Sequence, residues 1–436
     1  MTERVSRRDL MRMTGLSAMT LGLAACGRGF GGGGDAGAGG GVQLDMVWWG
    51  DATRAKKTQA ALDIFKRANP GVTVRTEYQD SGPYKDKLAT RFAAGDPPDL
   101  MMMRIDSLRE YADRGALLDI RAQSGAVDVT GLSESARNLA TVGDKMYGIP
   151  SGLNTIGFVV NKTLTDQYGV RIPDGNTWSW QDLSAFAKEI TEASGGKVYG
   201  AHFEAGTLAN LIVYVRQRGE DFYTADGGLG VTEATLTDWF AMFRTMRAEG
   251  ALPPAGFVEN LGSSAEQSPL AKGQVAAQII PTNNFAVNQS AAGGNLALLR
   301  VPGETTEKRR GQSIDTPALW SVAAGTEHRQ EVLKLLDFLI NDPEASKATG
   351  TTRGVPANPA VADAVKPTLS PDDQIATDYL VSLQKEELPR AYPLPPGSSG
   401  IAADLLTIAT EVEFRRQTPE QGAKALLESG RKALGG

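Results

Sequence analysis

Three aspartates lie within three residues of the ends of the first three predicted strands. These are Asp51, Asp80 and Asp106, and Arg104 lies two residues before Asp106. Carboxylates and guanidinium groups each form several hydrogen bonds with a polar ligand, and two carboxylates about 5–10 Å apart could instead serve as the acid and base of a glycosidase. All three aspartates could instead cap helices, and Asp51 and Asp106 precede helices closely. The pattern therefore predicts a polar site, with helix capping as the structural alternative.

Aromatic and amide side chains accompany these residues. Trp49 ends the first predicted strand and could offer a stacking face, whereas its neighbour Trp48 should point to the opposite side and belong to the core. Asn154 lies between two predicted strands, as either a ligand contact or a turn residue. Trp320 interrupts a strand of small residues, either as the wall of a cleft or as core between two lobes; we favour the cleft.

The chain has few residues that could support imidazole or thiol chemistry. The 436 residues include one cysteine, Cys26, and two histidines, His202 and His328. Intrachain disulfides and the Cys/His patterns of zinc sites are therefore excluded, and we predict neither a metal site nor a cofactor.

The elements that must position the aspartates alternate between strand and helix. The periodicity predicts strands over 44–49, 72–78 and 99–103, separated by helices over 53–68 and 84–94. This order is typical of parallel crossover units, whose sheets bind ligands beyond the carboxyl ends of the strands. Asp51, Asp80 and Asp106 are thereby placed at the binding edge.

A second region begins near residue 145. Two strand-like runs, 145–150 and 155–161, are joined by Ser151 to Asn154, which we interpret as a crossing between two lobes. Further strands are predicted at 197–202, 275–280 and 318–324, with helices between the earlier ones.

The N-terminus resembles an export signal followed by a lipid-attachment site. Arg7 and Arg8 stand before an apolar run, Met13 to Ala25, which is too short to span a bilayer of about 30 Å. Leu23 to Cys26 is similar to the bacterial lipobox, whose cysteine carries the lipid. A glycine-rich stretch follows, which is typical of a flexible tether. We expect a signal peptide over 1–25 and an anchor and linker over 26–42.

Charge and hydropathy exclude further classes. The chain has a net charge of −6, and removal of residues 1–25, which carry more arginines than acids, makes the remainder more acidic. An acidic protein with dispersed lysines does not have the electrostatic footprint of a nucleic-acid-binding protein. The sequence after the signal has no run of 18 apolar residues, so we predict no transmembrane helix there.

Several short motifs, each weak alone, follow one another over about 300 residues. They are Val47-Trp-Trp-Gly50, Phe65-Lys-Arg-Ala-Asn-Pro-Gly-Val72, Ala94-Gly-Asp-Pro-Pro-Asp-Leu100, Tyr147-Gly-Ile-Pro150, Gly157-Phe-Val-Val-Asn-Lys162, Thr177-Trp178 and Phe338-Leu-Ile-Asn-Asp-Pro-Glu-Ala345. In this order they resemble the sugar-binding family of extracellular solute-binding proteins of bacterial ABC importers. One departure is Val160, which stands where the family often has tyrosine.

The resemblance implies an α/β, two-lobe fold of the periplasmic-binding-protein type, with a hinge and a ligand cleft between the lobes. We expect lobe 1 to comprise 43–152 and about 302–341, and lobe 2 about 153–301 and 342–436. Binding would close the lobes around the ligand.

Function and partners follow from the same resemblance. It implies a membrane-anchored, monomeric binding protein on the extracytoplasmic face, which captures a mono- or oligosaccharide and delivers it to the permease subunits of an ABC importer without catalysis. It also adds Asn283 and Asn284, which fall at a cleft loop of the family with helix capping as the alternative, and Arg353, which reaches the ligand or else lies on the surface.

Two rival classes remain open from the residues. An exported carbohydrate-active enzyme would need only paired carboxylates, although the sequence has no G-x-S-x-G elbow and no metal-ligand spacing. A binding protein for metal ions or polyamines would need clustered ligands or an acidic cage, which the scarcity of histidine and the mixture of Trp, Asn and Arg disfavour.

Overall fold

A computed structural model describes residues 41–123, 125–224, 227–257, 264–391 and 393–435. The predicted signal peptide, Cys26 and most of the glycine-rich linker lie outside the described residues. In the described part of the chain, no helix is both long enough and apolar enough to cross a membrane.

Strands and helices alternate along the first half of the chain, and helices predominate in the last third. The strands are β1 Val42–Trp49, β2 Val72–Gln79, β3 Leu100–Met103, β4 Thr141–Val142, β5 Lys145–Met146, β6 Ile149–Pro150, β7 Ile156–Asn161, β8 Ala277–Pro281, β9 Leu296–Leu299 and β10 Leu319–Val322. The α-helices are α1 Ala52–Ala68, α2 Ser81–Ala93, α3 Ile105–Asp113, α4 Glu134–Asn138, α5 Lys162–Tyr168, α6 Trp180–Ala193, α7 Leu208–Gln217, α8 Glu233–Ala248, α9 Phe285–Ala291, α10 Arg329–Asn341, α11 Pro343–Thr349, α12 Pro359–Val365, α13 Pro371–Gln384, α14 Ser398–Glu413 and α15 Pro419–Ala433. Short 3₁₀ helices cover Ala265–Gln267, Thr282–Asn284 and Lys366–Thr368.

The first sheet has the strand order β2-β1-β3-β10-β6. Strand β1 is parallel to both β2 and β3, with α1 and α2 as the crossovers, which confirms the predicted parallel units. The chain passes from β1 to β2 on one side and then from β2 past β1 to β3 on the other side, so the strand order reverses beside β1. The carboxyl ends of β1, β2 and β3 share one edge of this sheet, where such folds bind ligands.

The second sheet has the order β8-β7-β9, with β7 antiparallel to both neighbours. Helices cover it around an aromatic core in which Trp239 and Phe243 have ring centroids 4.7 Å apart. The predicted strand over 197–202 is not formed. Tyr199 and His202 form isolated parallel bridges with Val275 and Gln278, but Ala201 between them donates to Ala251, so no continuous ladder develops.

Three chain segments cross between the two sheets and are hydrogen-bonded side by side. Leu153 and Val355 exchange backbone hydrogen bonds of 2.6 and 2.8 Å. Gly354 has φ +101°, and a Cβ there would lie 2.4 Å from the Leu153 carbonyl oxygen, so this contact requires glycine. We call these crossings, at 151–156, 313–318 and 351–356, the hinge segments.

Each sheet has its own hydrophobic core, as the two-lobe α/β fold requires. Met101 and Leu319 lie in the first core, and Phe158 and Trp239 in the second. The sequence assigns the segment after Asp342 to lobe 2, but this segment contributes to both cores. Leu380 and Leu383 belong to the first core, and Leu405 and Leu426 belong to the second. The exact lobe boundaries remain a prediction.

Candidate functional site

A pocket lies at the carboxyl edge of the first sheet, between that sheet and the second. It contains about 1240 Å³ of space including its open mouth. We call it the cleft. Its described lining is Arg104, Ile105, Asp106, Asn154, Thr155, Ile156, Leu208, Ala209, Ile212, Val213, Arg216, Pro281, Ser313, Asp315, Thr316, Ala391, Leu394, Ser398, Ser399 and Ala402. We call each sheet with the helices that cover it a unit, the first around β1 and the second around β7. Both units and two of the hinge segments therefore contribute to one site.

The first unit contributes the start of α3. Arg104 precedes this helix, and its Nη2 lies 2.9 Å from Oδ2 of Asp106 in the first turn. Burial alone would raise the pKa of Asp106, but the hydrogen bonds and charge of Arg104 hold that pKa below its ordinary value. The pair therefore presents an ionised carboxylate and a guanidinium with further N–H groups.

The hinge segments contribute amide and carboxylate groups. Asn154 and Asp315 exchange backbone hydrogen bonds of 2.9 and 2.8 Å, and Nδ2 of Asn154 donates to Oδ1 of Asn283 at 2.9 Å. Oδ1 of Asp315 accepts from the Thr316 backbone N–H at 2.7 Å. Burial raises the pKa of Asp315, opposed by that hydrogen bond and by the charge of Arg216.

The second unit contributes one face of α7. Leu208, Ile212 and Arg216 follow each other at intervals of four residues, so they lie on the same side of the helix and line the cleft. Nη1 of Arg216 donates to Oγ of Ser313 at 2.9 Å. Burial lowers the pKa of this guanidinium because it disfavours the charged form.

Three of the residues singled out from the sequence are brought together here: Arg104, Asp106 and Asn154 line the cleft, and Asn283 is one hydrogen bond away. Asn284 precedes α9, and its Oδ1 accepts from Asn283 at 3.2 Å.

Residues near the other strand ends lie elsewhere. Asp51 is exposed and accepts from the Arg54 backbone N–H at 2.7 Å, which is the helix-capping alternative. Asp80 is exposed and has no side-chain capping bond. The half-buried Trp49 packs against Tyr84 with ring centroids 5.3 Å apart. As expected, Trp48 is a core residue.

Trp320 and Arg353 were predicted as ligand contacts, but the structure buries both of them away from the cleft. They are only 3% and 5% exposed, and neither is part of the described cleft lining. The Arg353 guanidinium carbon lies 5.3 Å from the Trp320 ring centroid, and its Nη2 donates to Oγ1 of Thr58 at 2.8 Å. Because Arg353 of a hinge segment covers the β10 tryptophan and is bonded to α1, this pair belongs to the packing around the first sheet.

The sequence did not single out Arg216 or Asp315. The four-residue spacing of Leu208, Ile212 and Arg216 was an available signal, since a charged residue on an otherwise apolar helix face marks a possible site. Asp315 carried no comparable local signal, because its position depends on pairing with Asn154, far away in the chain.

The described residues contain no group of three or more His, Cys, Asp or Glu side chains that could hold a metal ion. The cleft instead offers hydrogen-bonding groups interspersed with apolar side chains. Such a mixture can satisfy hydroxyl groups and also cover C–H surface of a ligand.

The chain is similar in sequence and structure to known proteins. The sequence pattern of the bacterial extracellular solute-binding proteins matches residues 31–346. The structure is similar to that of an extracellular solute-binding protein family 1 member from Alicyclobacillus acidocaldarius, with a TM-score of 0.72 and 26% identity. That match covers 91% of this chain and 99% of the other.

Two further proteins are similar. One is a periplasmic oligogalacturonide binding protein from Yersinia enterocolitica, solved with saturated digalacturonic acid; the TM-score is 0.77 at 22% identity, over 90% of this chain and 98% of that one. The other is the maltodextrin-binding protein MdxE of Bacillus subtilis, 26% identical over 307 residues, which are 68% of this chain and 69% of that protein. The structural likeness covers both units and thus the cleft between them.

Proposed function

The chain belongs to the bacterial extracellular solute-binding proteins, and from this premise we propose that it captures a mono- or oligosaccharide in the cleft and delivers it to the permease of an ABC importer. The observation that carries this proposal is the composition of the cleft, to which both units and the hinge segments contribute. The names of similar proteins that bind maltodextrin and oligogalacturonide support a saccharide as the ligand.

The cleft supplies the chemistry that saccharide binding requires. Asp106, Asp315 and Asn154 offer acceptors, Arg104 and Arg216 offer donors, and Ile212 belongs to an apolar strip. Hydroxyl groups need such partners because an unpaired buried polar group costs about 1–3 kcal/mol.

Closure of the lobes is the proposed mechanism. A ligand that contacts Asp106 on one unit and Arg216 on the other binds the closed form more tightly than the open form. It therefore shifts the population toward closure by that difference in affinity. The permease would then distinguish loaded from empty protein by the arrangement of the two lobes, and no bond of the saccharide is broken.

A thermal-shift screen against mono- and oligosaccharides tests the function. A ligand that binds the native state raises the melting temperature by mass action. Chromatography of the sugars afterwards should recover the stabilising saccharide intact. A cleaved saccharide would instead support the carbohydrate-active enzyme, and a screen without any shift would contradict saccharide binding.

The family places the protein on the extracytoplasmic side. We further propose export through the N-terminal signal and a lipid on Cys26, which would hold a monomer at the membrane surface by the glycine-rich linker. The lipobox-like Leu23 to Cys26 supports this anchor. Cys26→Ser should move the protein from the membrane fraction to the medium, and a membrane-bound Cys26→Ser protein would contradict the anchor.

A further inference from the structure

A second pocket opens beside the cleft and has a pronounced positive charge. It contains about 1150 Å³ including its mouth and shares the lining residues Ile212, Arg216 and Leu394 with the cleft, so the two pockets adjoin. We call it the arginine chamber. Among the described residues, its charged lining is Arg109, Arg216, Arg309, Arg390 and Asp221.

Two of these arginines already have carboxylate partners. Nη2 of Arg309 lies 2.8 Å from Oδ1 of Asp221, and Nη2 of Arg390 lies 2.8 Å from Oε1 of Glu134. Their charges are therefore largely balanced by the protein itself.

The other two arginines have no such partner among the described residues. Arg216 donates only to neutral oxygens, which are Oγ of Ser313 and the carbonyls of Gly311 and Arg390. It forms no ion pair within 4 Å, and Asp221 and then Asp315 act on its charge from longer distances. Arg109 forms no hydrogen bond or ion pair with the described residues, although it is half-buried. A buried guanidinium without a carboxylate loses hydration without full compensation.

The two unpaired arginines approach from opposite lobes. Arg109 belongs to α3 beside the first sheet, and its Nη1 reaches toward Gly227 of the second unit, 3.8 Å from the position a Cβ would take there. Arg216 ends the cleft-lining face of α7. A ligand between them would therefore contact both lobes.

Planar guanidinium groups bind carboxylate, sulfate and phosphate oxygens through paired hydrogen bonds. In a protein with a net charge of −6, this positive pocket is a local exception that would attract anions. Neutral saccharides would leave both arginines without a counter-charge.

We propose that the saccharide bound by this protein is acidic, with its anionic substituent in the arginine chamber between Arg109 and Arg216. The inference rests on the proposed saccharide-binding function and specifies its substrate class. The shared chemistry is an oxyanion on a sugar ring, which a uronic acid, a sulfate ester or a phosphate ester supplies.

Calorimetric titration of the purified protein with matched pairs tests the proposal. The pairs are α-1,4-galactobiose with digalacturonate, glucose with glucose 6-sulfate, and glucose with glucose 6-phosphate. We expect at least one acidic member to bind ten-fold or more tightly than its neutral partner, with the preference decreasing at high salt. The pair that shows the preference identifies the type of oxyanion.

Two variants make the test specific. Arg109→Gln should reduce the acidic preference to less than three-fold. Arg114→Gln is the matched control, because Arg114 follows the same helix and pairs with Glu110 outside the chamber, and it should keep the preference.

The outcomes distinguish failure of the acidic-saccharide inference from failure of the proposed function. Equal affinity for neutral and acidic members, or an acidic preference that survives Arg109→Gln, overturns the acidic-saccharide inference and leaves the proposed function standing. Free sulfate or phosphate that binds as tightly as the acidic sugars also overturns it. Absence of binding by neutral and acidic saccharides across the wider thermal-shift screen would overturn the proposed function itself.

Discussion

Asn154 and Asp315 are joined by two backbone hydrogen bonds of 2.9 and 2.8 Å, and both side chains line the cleft. The residues that pair these two hinge segments therefore also line the cleft. A ligand held by either side chain acts directly on a segment that crosses between the lobes, which makes a link between binding and closure physically direct.

The hinge depends on glycine at position 354. Gly354→Ala should destabilise the protein by roughly 2 kcal/mol or more, because φ is +101° and the added Cβ would meet the Leu153 carbonyl oxygen. Urea denaturation measures this change. Gly325→Ala, where a Cβ has no neighbour within 4 Å, is the control and should change stability little. Equal stabilities of the two variants would contradict a strained hinge contact.

Glu304 is an ionisable group held in the second unit. It is 4% exposed, and its Oε1 accepts from Gln217, Gly311 and Gln312 at 2.9, 2.9 and 3.0 Å. Burial raises its pKa despite these bonds, so the folded protein retains the proton to higher pH than the unfolded chain. Its favourable contribution is present below the ordinary glutamate pKa and is lost as the pH rises through the raised pKa.

Glu304→Gln keeps an Oε1 acceptor for all three donors and removes this titration. We expect stability equal to or above wild type at pH 7, whereas Glu304→Ala should cost roughly 2–5 kcal/mol because the donors lose their acceptor. Denaturation at pH 5 and pH 7 measures both effects. A Gln variant as unstable as the Ala variant would contradict the assignment.

His202 should make the protein sensitive to acid. Burial lowers its pKa from 6.5 to about 4, with the charge of Arg247 adding to the effect. The unfolded chain therefore binds a proton that the folded protein excludes, and stability falls as the pH decreases from about 6.5 to about 4, by up to about 3 kcal/mol.

The melting temperature measured across that range, with His202→Gln and the control His328→Gln, tests this pH dependence. The first variant should flatten the decline, and the second should retain it. A decline that persists unchanged in His202→Gln would assign acid sensitivity to other groups.

Substitutions of Asp51 test whether this residue caps α1 or contacts the ligand. Asp51→Ala should cost about 1 kcal/mol through loss of the 2.7 Å bond to the Arg54 N–H, and Asp51→Ser should restore most of it because serine is also a good N-cap. Saccharide affinity should be the same in both variants. Reduced affinity with unchanged stability would return Asp51 to the binding site.

Local sequence patterns predicted much of the fold but only part of the candidate site. The alternation of strands and helices predicted β1 to β3, and with them the position of Arg104 and Asp106 at the binding edge. Arg216 lies more than 100 residues later and meets them only through packing of the second unit, which no local periodicity encodes. For Trp320 the sequence predicted a cleft residue where the structure has a buried one. The local sequence of a strand tryptophan is the same whether the ring faces a ligand or lies beneath Arg353.

Calorimetric titration of the best stabilising saccharide into wild type, Ile212→Trp and Val287→Trp tests the central claim most directly. Ile212 lines the cleft, whereas Val287 is an exposed position on α9. Saccharide capture between the lobes predicts that Ile212→Trp weakens binding at least ten-fold by filling the cleft and that Val287→Trp binds like wild type. Wild-type affinity in a folded Ile212→Trp protein would contradict the cleft as the binding site.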